Sequence, residues 1–331
     1  MTYLSRLRCM VPALATVLLF STPSPAQDTL HYTIGTGSEG ATFYPLMKTL
    51  CTRIEQKKVG FTCEAVSTPG SIYNLNAIAN GEIALGLSQL ALQYQSYQGL
   101  DPFQDKNGRI ATVAPLHQEV FILAVNPDSN IKSFADARRK RVNIGNQGSG
   151  SRILIEQLIG YKGWQLEDFE IYSEKSSELP RLLCNAEIDA AIYSTGHPNA
   201  IYAKMIRECG VELIDLWDED IARFVSENWR FVPAKIRANT YPSITSGKSG
   251  PGVQVVLSAN KEISRHHIYQ IVQTLVEDSE ALARQAPVFD SIDATRYPLE
   301  NVAPYHRGAQ DYYQEIISPA VQLRATSGMI Y

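Results

Sequence analysis

Short apolar runs alternate with amphipathic stretches along most of this chain. Residues 30–34 read as a strand and 42–57 as an amphipathic helix, and residues 61–66 alternate like a strand. Pro69-Gly70-Ser71 is a turn whose serine can cap a helix over 72–80. Residues 83–87 form a short buried strand, followed by a helical stretch over 90–97 and a polar, turn-rich segment over 100–109. Strands and helices in alternation call for a parallel sheet covered by helices.

The plan then repeats. After two apolar runs within 113–125, a strand at 141–144 leads to a helix from Ser151. A strand at 169–172 leads to a helix from Ser177, and a further strand covers 188–193. Residues 220–237 read as helical and then irregular, 241–251 as a loop, and 253–258 as a strand. One long amphipathic helix is predicted over 264–283, with Ile268, Ile271, Val272, Leu275, Val276 and Leu282 on its core face. A terminal helix is predicted over 305–317. Residues 113–125 and 253–258 would each cross between two α/β lobes. The lobes then divide the chain as 27–119, 120–251 and 252–331, the first and last parts sharing one lobe. Two crossings make a hinge, and a hinged cleft closes on a ligand.

The strongest internal echo lies at the strand ends. Ile34-Gly35-Thr36-Gly37-Ser38-Glu39-Gly40 opens the first helix, and Ile144-Gly145-Asn146-Gln147-Gly148-Ser149-Gly150-Ser151 opens its counterpart. Small, hydroxyl-bearing loops at helix N-termini offer backbone N–H groups and positive dipole ends to an anion from both sides.

Composition narrows the choices. The 331 residues carry 30 Lys+Arg against 34 Asp+Glu, a net charge of −4, so a nucleic-acid partner is not expected. Residues 1–26 read as an export signal: Arg6 and Arg8, an apolar run from Met10 to Phe20, and a small-residue cleavage site at Ser24-Pro25-Ala26. That run is short of the ~18–20 apolar residues that span a bilayer. The mature chain is thus expected in the periplasm as a soluble monomer. Four cysteines remain: Cys51, Cys63, Cys184 and Cys209. Four allow three pairings, and locality favours Cys51–Cys63 and Cys184–Cys209, each tying a helix to the strand region after it. No Cys or His spacing suits a metal, and no cofactor is called for.

Several motifs compete. Gly35-x-Gly37-x-x-Gly40 satisfies the dinucleotide fingerprint, but the second strand runs out in Val66-Ser67-Thr68 without the acid that would hold a ribose. Neither Ser149 nor Ser151 has the flanking glycines of a nucleophile elbow, and no histidine is tied to a serine by spacing. Arg152 sits in a first helical turn, where a cation beside the positive dipole end is relieved by a bound carboxylate. His197, in Gly196-His197-Pro198-Asn199, opens the next helix. Glu119 and His117 lie at the first crossing, where a structural hydrogen bond is the expected role.

Taken together, these residues resemble a known family. Gly35-Thr36-Gly37 through Tyr44-Pro45, Ser67-Thr68-Pro69-Gly70-Ser71-Ile72-Tyr73-Asn74-Leu75 and Gly81-Glu82-Ile83 are similar to the TAXI-type solute-binding proteins of TRAP transporters. So are Lys140-Arg141-Val142-Asn143-Ile144-Gly145, Gly148-Ser149-Gly150, residues 188–193, Gly196-His197-Pro198-Asn199 and the closing stretch from Pro304 to Tyr313. Two positions depart from the family pattern: Ser38 follows Gly37 where a second glycine is usual, and Gln89-Leu90-Ala91 lacks the usual acid. The resemblance implies a type II periplasmic-binding-protein fold, with two α/β lobes, a two-strand hinge and a ligand cleft. It also implies a non-enzymatic protein that hands a small organic anion, such as glutamate or 2-oxoglutarate, to the membrane subunits of a TRAP permease. The expected ligand contacts are Gly37, Ser38, Thr42, Tyr44, Ser71, Asn74 and Gln89 from the first lobe, and Ser149, Ser151, Arg152, Thr195 and His197 from the second. An exported hydrolase or dinucleotide enzyme, and a ligand-sensing receptor, are the alternatives.

Overall fold

Alternating strand and helix propensity produces two similar halves that share one sheet. The computed structural model describes residues 30–292 and 297–327, so the export segment expected at 1–26 lies outside the described residues. In the first half, β1 (Leu30–Gly35), β2 (Phe61–Val66) and β3 (Leu85–Gln89) alternate with α1 (Phe43–Lys57), α2 (Ser71–Asn80) and α3 (Leu90–Gln98). β4 (Ile110–Val125) is one continuous strand through both predicted apolar runs. The second half contains β5 (Arg141–Asn143), α4 (Gly150–Tyr161), β6 (Glu170–Tyr172), α5 (Leu179–Cys184), β7 (Ala190–Thr195), α6 (Ala200–Cys209), β8 (Glu212–Ile214), α7 (Glu219–Glu227) and β9 (Val232–Ile236). β10 (Lys248–Asn260) returns to the first half, where α8 (Arg265–Glu277), α9 (Ser279–Gln285) and α10 (Arg307–Ser327) close the fold.

The strand order is β2-β1-β3-β10-β4-β7-β5-β6, with β8 on β4 and β9 on β10. β1 runs parallel to β2 and β3, and β5 runs parallel to β6 and β7. The two long strands join these parallel groups. β10 pairs with β9 over 248–252 and with β3 over 255–259. β4 pairs with β10 over 110–120 and with β7 over 120–125. Both strands therefore belong to both lobes and form the two-strand hinge.

Each lobe has its own core. α1 contributes Leu46, Met47, Leu50 and Ile54 to a cluster with Ile268, Ile271, Val272 and Leu275 of α8 and Tyr312 and Tyr313 of α10. In the second lobe, alternate residues of β4 enter opposite clusters. Phe121, Leu123 and Val125 pack with α4, whereas Val120, Ile122 and Ala124 pack with α5 and α6. A period of two on a strand covered on both faces reads as a continuous apolar run, as it does here.

Five expectations need correction. Ser71, expected to cap the second helix, is its first residue, and its hydroxyl accepts from the Gln89 N–H at 3.2 Å instead. The helix predicted over 264–283 breaks at Asp278, whose carboxylate is drawn to Arg53 at 2.9 Å and Lys57 at 3.0 Å on α1. Val232–Ile236 is a strand where irregular chain was expected, since its proline is tolerated at a sheet edge. β10 begins five residues earlier than predicted, at Lys248 rather than residue 253, because β9 supplies it with a partner. Among the disulfides, Cys51–Cys63 ties α1 to β2 with a Cα separation of 5.2 Å, and Cys184–Cys209 is also paired as expected, at 5.3 Å. That second bridge joins the C-terminal ends of α5 and α6 instead of a helix and a strand.

Candidate functional site

The parallel strands of both lobes end at the same seam, and helices start there. β1 leads through residues 36–42 into α1, β3 leads directly into α3, β5 leads through 144–149 into α4, and β7 leads through 196–199 into α6. Ligands of open α/β sheets bind outside such carboxyl ends. α1, α2 and α3 have no side-chain cap. Ser149 caps α4: its Oγ accepts from the Arg152 N–H at 3.3 Å and donates to the Asn146 carbonyl at 2.8 Å.

At this seam a small cavity is lined by Gly37, Ala41, Phe43, Pro69, Gly70, Ser71, Gln89, Glu119, Ser149, Gly150, Ser151 and Tyr193. Its interior volume is about 30 Å³, room for about two waters at the ~10–15 Å³ each requires. The lobes touch beside it. Gly70 adopts φ +123°, open to glycine alone, and a Cβ there would lie 3.4 Å from the Cα of Ser149 in the other lobe. The Asn146 side-chain amide donates to the Pro69 carbonyl at 3.1 Å. Further out, Tyr94 of α3 and Trp229 meet edge-to-face with centroids 5.3 Å apart. A solute of any size requires the lobes to part.

The cavity's polar heart is Glu119, from the hinge strand, only 5% exposed. Its Oε2 accepts from the Gln89 amide at 2.9 Å and from the Ser194 hydroxyl at 2.9 Å. Ser194 gives its one proton to Glu119, so Ser151, 2.6 Å away, donates to Ser194. The same Gln89 amide reaches Ser194 at 3.0 Å, while its carbonyl, Oε1, is buried without a hydrogen-bond partner. Burial pushes the Glu119 carboxyl up to about 7, against the lowering effect of the Gln89 and Ser194 hydrogen bonds. No cation enters that balance.

Of the expected contacts, Gly37, Ser71, Gln89, Ser149 and Ser151 line the cavity, and the others lie elsewhere. The Arg152 guanidinium is buried against Glu156 at 2.8 Å, the Gly145 carbonyl at 3.3 Å and the Ser173 hydroxyl, so it ties the α4 loop together. Asn74, fully buried, donates to the carbonyls of Thr36 at 2.7 Å and Leu87 at 2.8 Å, and thereby clamps β1 to β3. Thr42 and Thr195 bond each other across the seam at 2.6 Å, with Thr42 donating to the Gly196 carbonyl and Asn199 donating to both hydroxyls. Ser38 is buried in the loop before α1, and Tyr44 is half-buried on α1.

His197 bonds Tyr241 at 2.7 Å and faces a different cavity. That space is about 920 Å³. Its lining includes Gln118 and Val120, which leave β4 on the opposite face from Glu119. Size is a weaker guide than chemistry here, because the strand ends and helix starts of both lobes converge on the smaller cavity. His117 is completely buried beside Gly196, with both ring nitrogens unpartnered, and burial depresses its basicity to about 3. Burial, reinforced by His117, does the same to His197.

Sequence reasoning placed Glu119 in a structural role and did not single out Ser194 or Tyr193. The available signal was a carboxylate between the two apolar runs of 113–125, where an acid is costly unless it has partners or a task.

The same two-lobed fold occurs in solved structures of low sequence similarity. PhnD1 from Prochlorococcus marinus (MIT 9301), solved with methylphosphonate, aligns at a TM-score of 0.52 and 11% identity over 80% of this chain and 92% of that one. A putative L-cystine ABC transporter protein from Listeria monocytogenes aligns at 0.50 and 13% identity, over 80% and 99%. Residues 34–316, which include the cavity and both hinge strands, match the NMT1-like family, and the chain belongs to that family.

Proposed function

We propose that this protein is an extracytoplasmic solute-binding protein of the TAXI type. It captures a small organic anion between its lobes and delivers it to a TRAP permease in the membrane. The observation that carries this reading is the cavity at the seam, built by strand ends and helix starts from both lobes. None of its lining residues is Lys or Arg. An anion there would be held by backbone N–H groups and helix dipoles, each terminus contributing ~0.3–1 kcal/mol and up to ~2 when partly buried. Contacts from both lobes give a solute the differential affinity needed to shift an open–closed balance. Residues 27–119 and 252–331 would form one lobe and 120–251 the other.

The serines support binding over catalysis. Ser149 donates to a backbone carbonyl and Ser151 to Ser194, so neither is held by a base. Location in the periplasm follows from the export signal at 1–26. Among the described residues no helix is long and apolar enough to cross a membrane.

Thermal unfolding of the mature protein, stripped of ligand, tests the reading against organic acids, amino acids and dinucleotides. A true solute at a hundredfold its dissociation constant adds ~2.7 kcal/mol, a rise of roughly 5–10 °C at this size. A shift with carboxylates supports the proposal. A shift with dinucleotides alone overturns it.

A further inference from the structure

Within the proposed binding reading, the residues at the seam carry one step more, toward the class of solute. We infer that the cavity selects an amino acid over the corresponding oxo acid, with Glu119 and the Gln89 carbonyl forming the seat of its ammonium group.

Two features point there. The first is a buried carboxyl with no cation to balance it. From β3, Glu119 meets Gln89; from β7, Ser194 and Tyr193; from α4, Ser151; from α6, Tyr202; from β10, its register partner is Val253. His117, two residues along β4, is held neutral by its burial. The nearest cationic candidate on α4, Arg152, is committed to Glu156, Gly145 and Ser173. The second feature is the Gln89 carbonyl, an unpartnered acceptor on a side chain only 2% exposed. It points at Gly150, so close that a Cβ on that residue would overlap it. With Glu119 ionised, the amide orientation follows from its neighbour, because a carboxylate accepts and the NH₂ faces it.

Both features ask the solute for N–H donors carrying positive charge. An ammonium group has three: one can meet Glu119 and another the Gln89 carbonyl, while the carboxylate beside it takes the helix starts at Ser71 and Ser149. An oxo acid brings an acceptor to the same place. It would face an acceptor and a carboxylate with no counter-charge, unless Glu119 took up a proton. The amino acid stabilises the ionised carboxyl, so its binding releases a proton wherever Glu119 is protonated in the free protein. Its affinity should weaken as pH falls below about 7, approaching tenfold per unit at the steepest.

Calorimetric titration of the mature protein with matched pairs tests this: glutamate with 2-oxoglutarate, alanine with pyruvate, leucine with 4-methyl-2-oxopentanoate. The pairs are compared at pH 6 and pH 8. The expected result is that at pH 8 at least one amino acid binds ~tenfold or more tightly than its oxo acid, and that this affinity falls at pH 6. Glu119→Gln should erase that preference by weakening the amino acid alone. Equal or tighter binding of the oxo acid by the wild-type protein at pH 8 overturns the inference and leaves the binding-protein reading intact. Failure of every member of every pair to bind overturns both. Because the decisive comparison uses wild-type protein, it holds even if the Glu119 variant does not fold.

Discussion

Gly150 opens α4 at the point where the second lobe meets the first, and its lack of a side chain is what lets them meet. A Cβ on Gly150 would come within 2.8 Å of Leu92 Cδ1 and would overlap the Gln89 carbonyl. Gln89 cannot swing away freely, because its amide holds Glu119 and Ser194. Gly150→Ala should therefore act on closure. Overpacking of this kind costs ~1–3 kcal/mol. At 1.4 kcal/mol per tenfold, that weakens any affinity that depends on closure by ~5–150-fold. A solute that keeps the lobes slightly apart relieves part of the clash and sets the low end of that range. Gly150 is not among the positive-φ glycines, so through the unfolded chain the same change is favourable by ~0.4–1 kcal/mol. The two effects have opposite signs, and they separate experimentally. Titration calorimetry with the solute found by thermal unfolding should show the loss of affinity, and a fall in the ligand-free melting temperature would show that the same contact also holds the lobes together without solute. Affinity within twofold of wild type would refute the idea that this contact governs closure.

Three further outcomes follow from the geometry. His117 is held at about 3, well below its ordinary 6.5, so its contribution to stability is complete above pH 6.5 and disappears as pH falls toward 3; the full shift amounts to ~5 kcal/mol. Glu119 works the other way, losing its contribution as pH rises from about 4.5 to about 7. Urea titrations of wild type and His117→Leu between pH 7 and 4 should show a shallower loss of stability in the variant, and parallel curves would refute the assignment. Removing either disulfide by paired Cys→Ser substitution should cost ~3 kcal/mol, from loops spanning 12 and 25 residues; an unchanged urea midpoint would show that the unfolded chain gains little from the cross-link. Trp229, 46% exposed and set against Tyr94 of the opposite lobe, should report lobe movement by its fluorescence. A change on ligand addition that vanishes in Trp229→Phe fits this geometry, whereas calorimetric binding with silent wild-type emission does not.

The hydrophobic pattern revealed the architecture because both lobes alternate strand and helix with strict periods. It located the seam because small residues accumulate at the strand ends. Individual side chains were harder to place. Asn74 has the chemistry of a ligand contact, yet backbone carbonyls from two strands consume its amide. Arg152 looked destabilised by its helix terminus, but Glu156 stands four residues on and meets it. That spacing is visible in the sequence. Glu119 was hidden for the opposite reason: neighbours in sequence say nothing about Gln89 and Ser194, which arrive from 30 and 75 residues away. β9 was missed because its partner is a distant stretch of β10.

The shared hinge strands also govern the order in which this molecule can assemble. The second lobe is drawn mainly from one uninterrupted stretch of chain between the crossings, so most of its contacts close short loops. The first lobe is split. β3 waits for β10, whose Ser258 meets Ser88 across 170 residues, and Gln93 accepts from the Ala303 backbone across 210. Closing such distances slows folding and leaves early strands unpaired. β3 must therefore stay unpaired on one edge until the chain has reached β10, and the lobe that begins first is the lobe that finishes last.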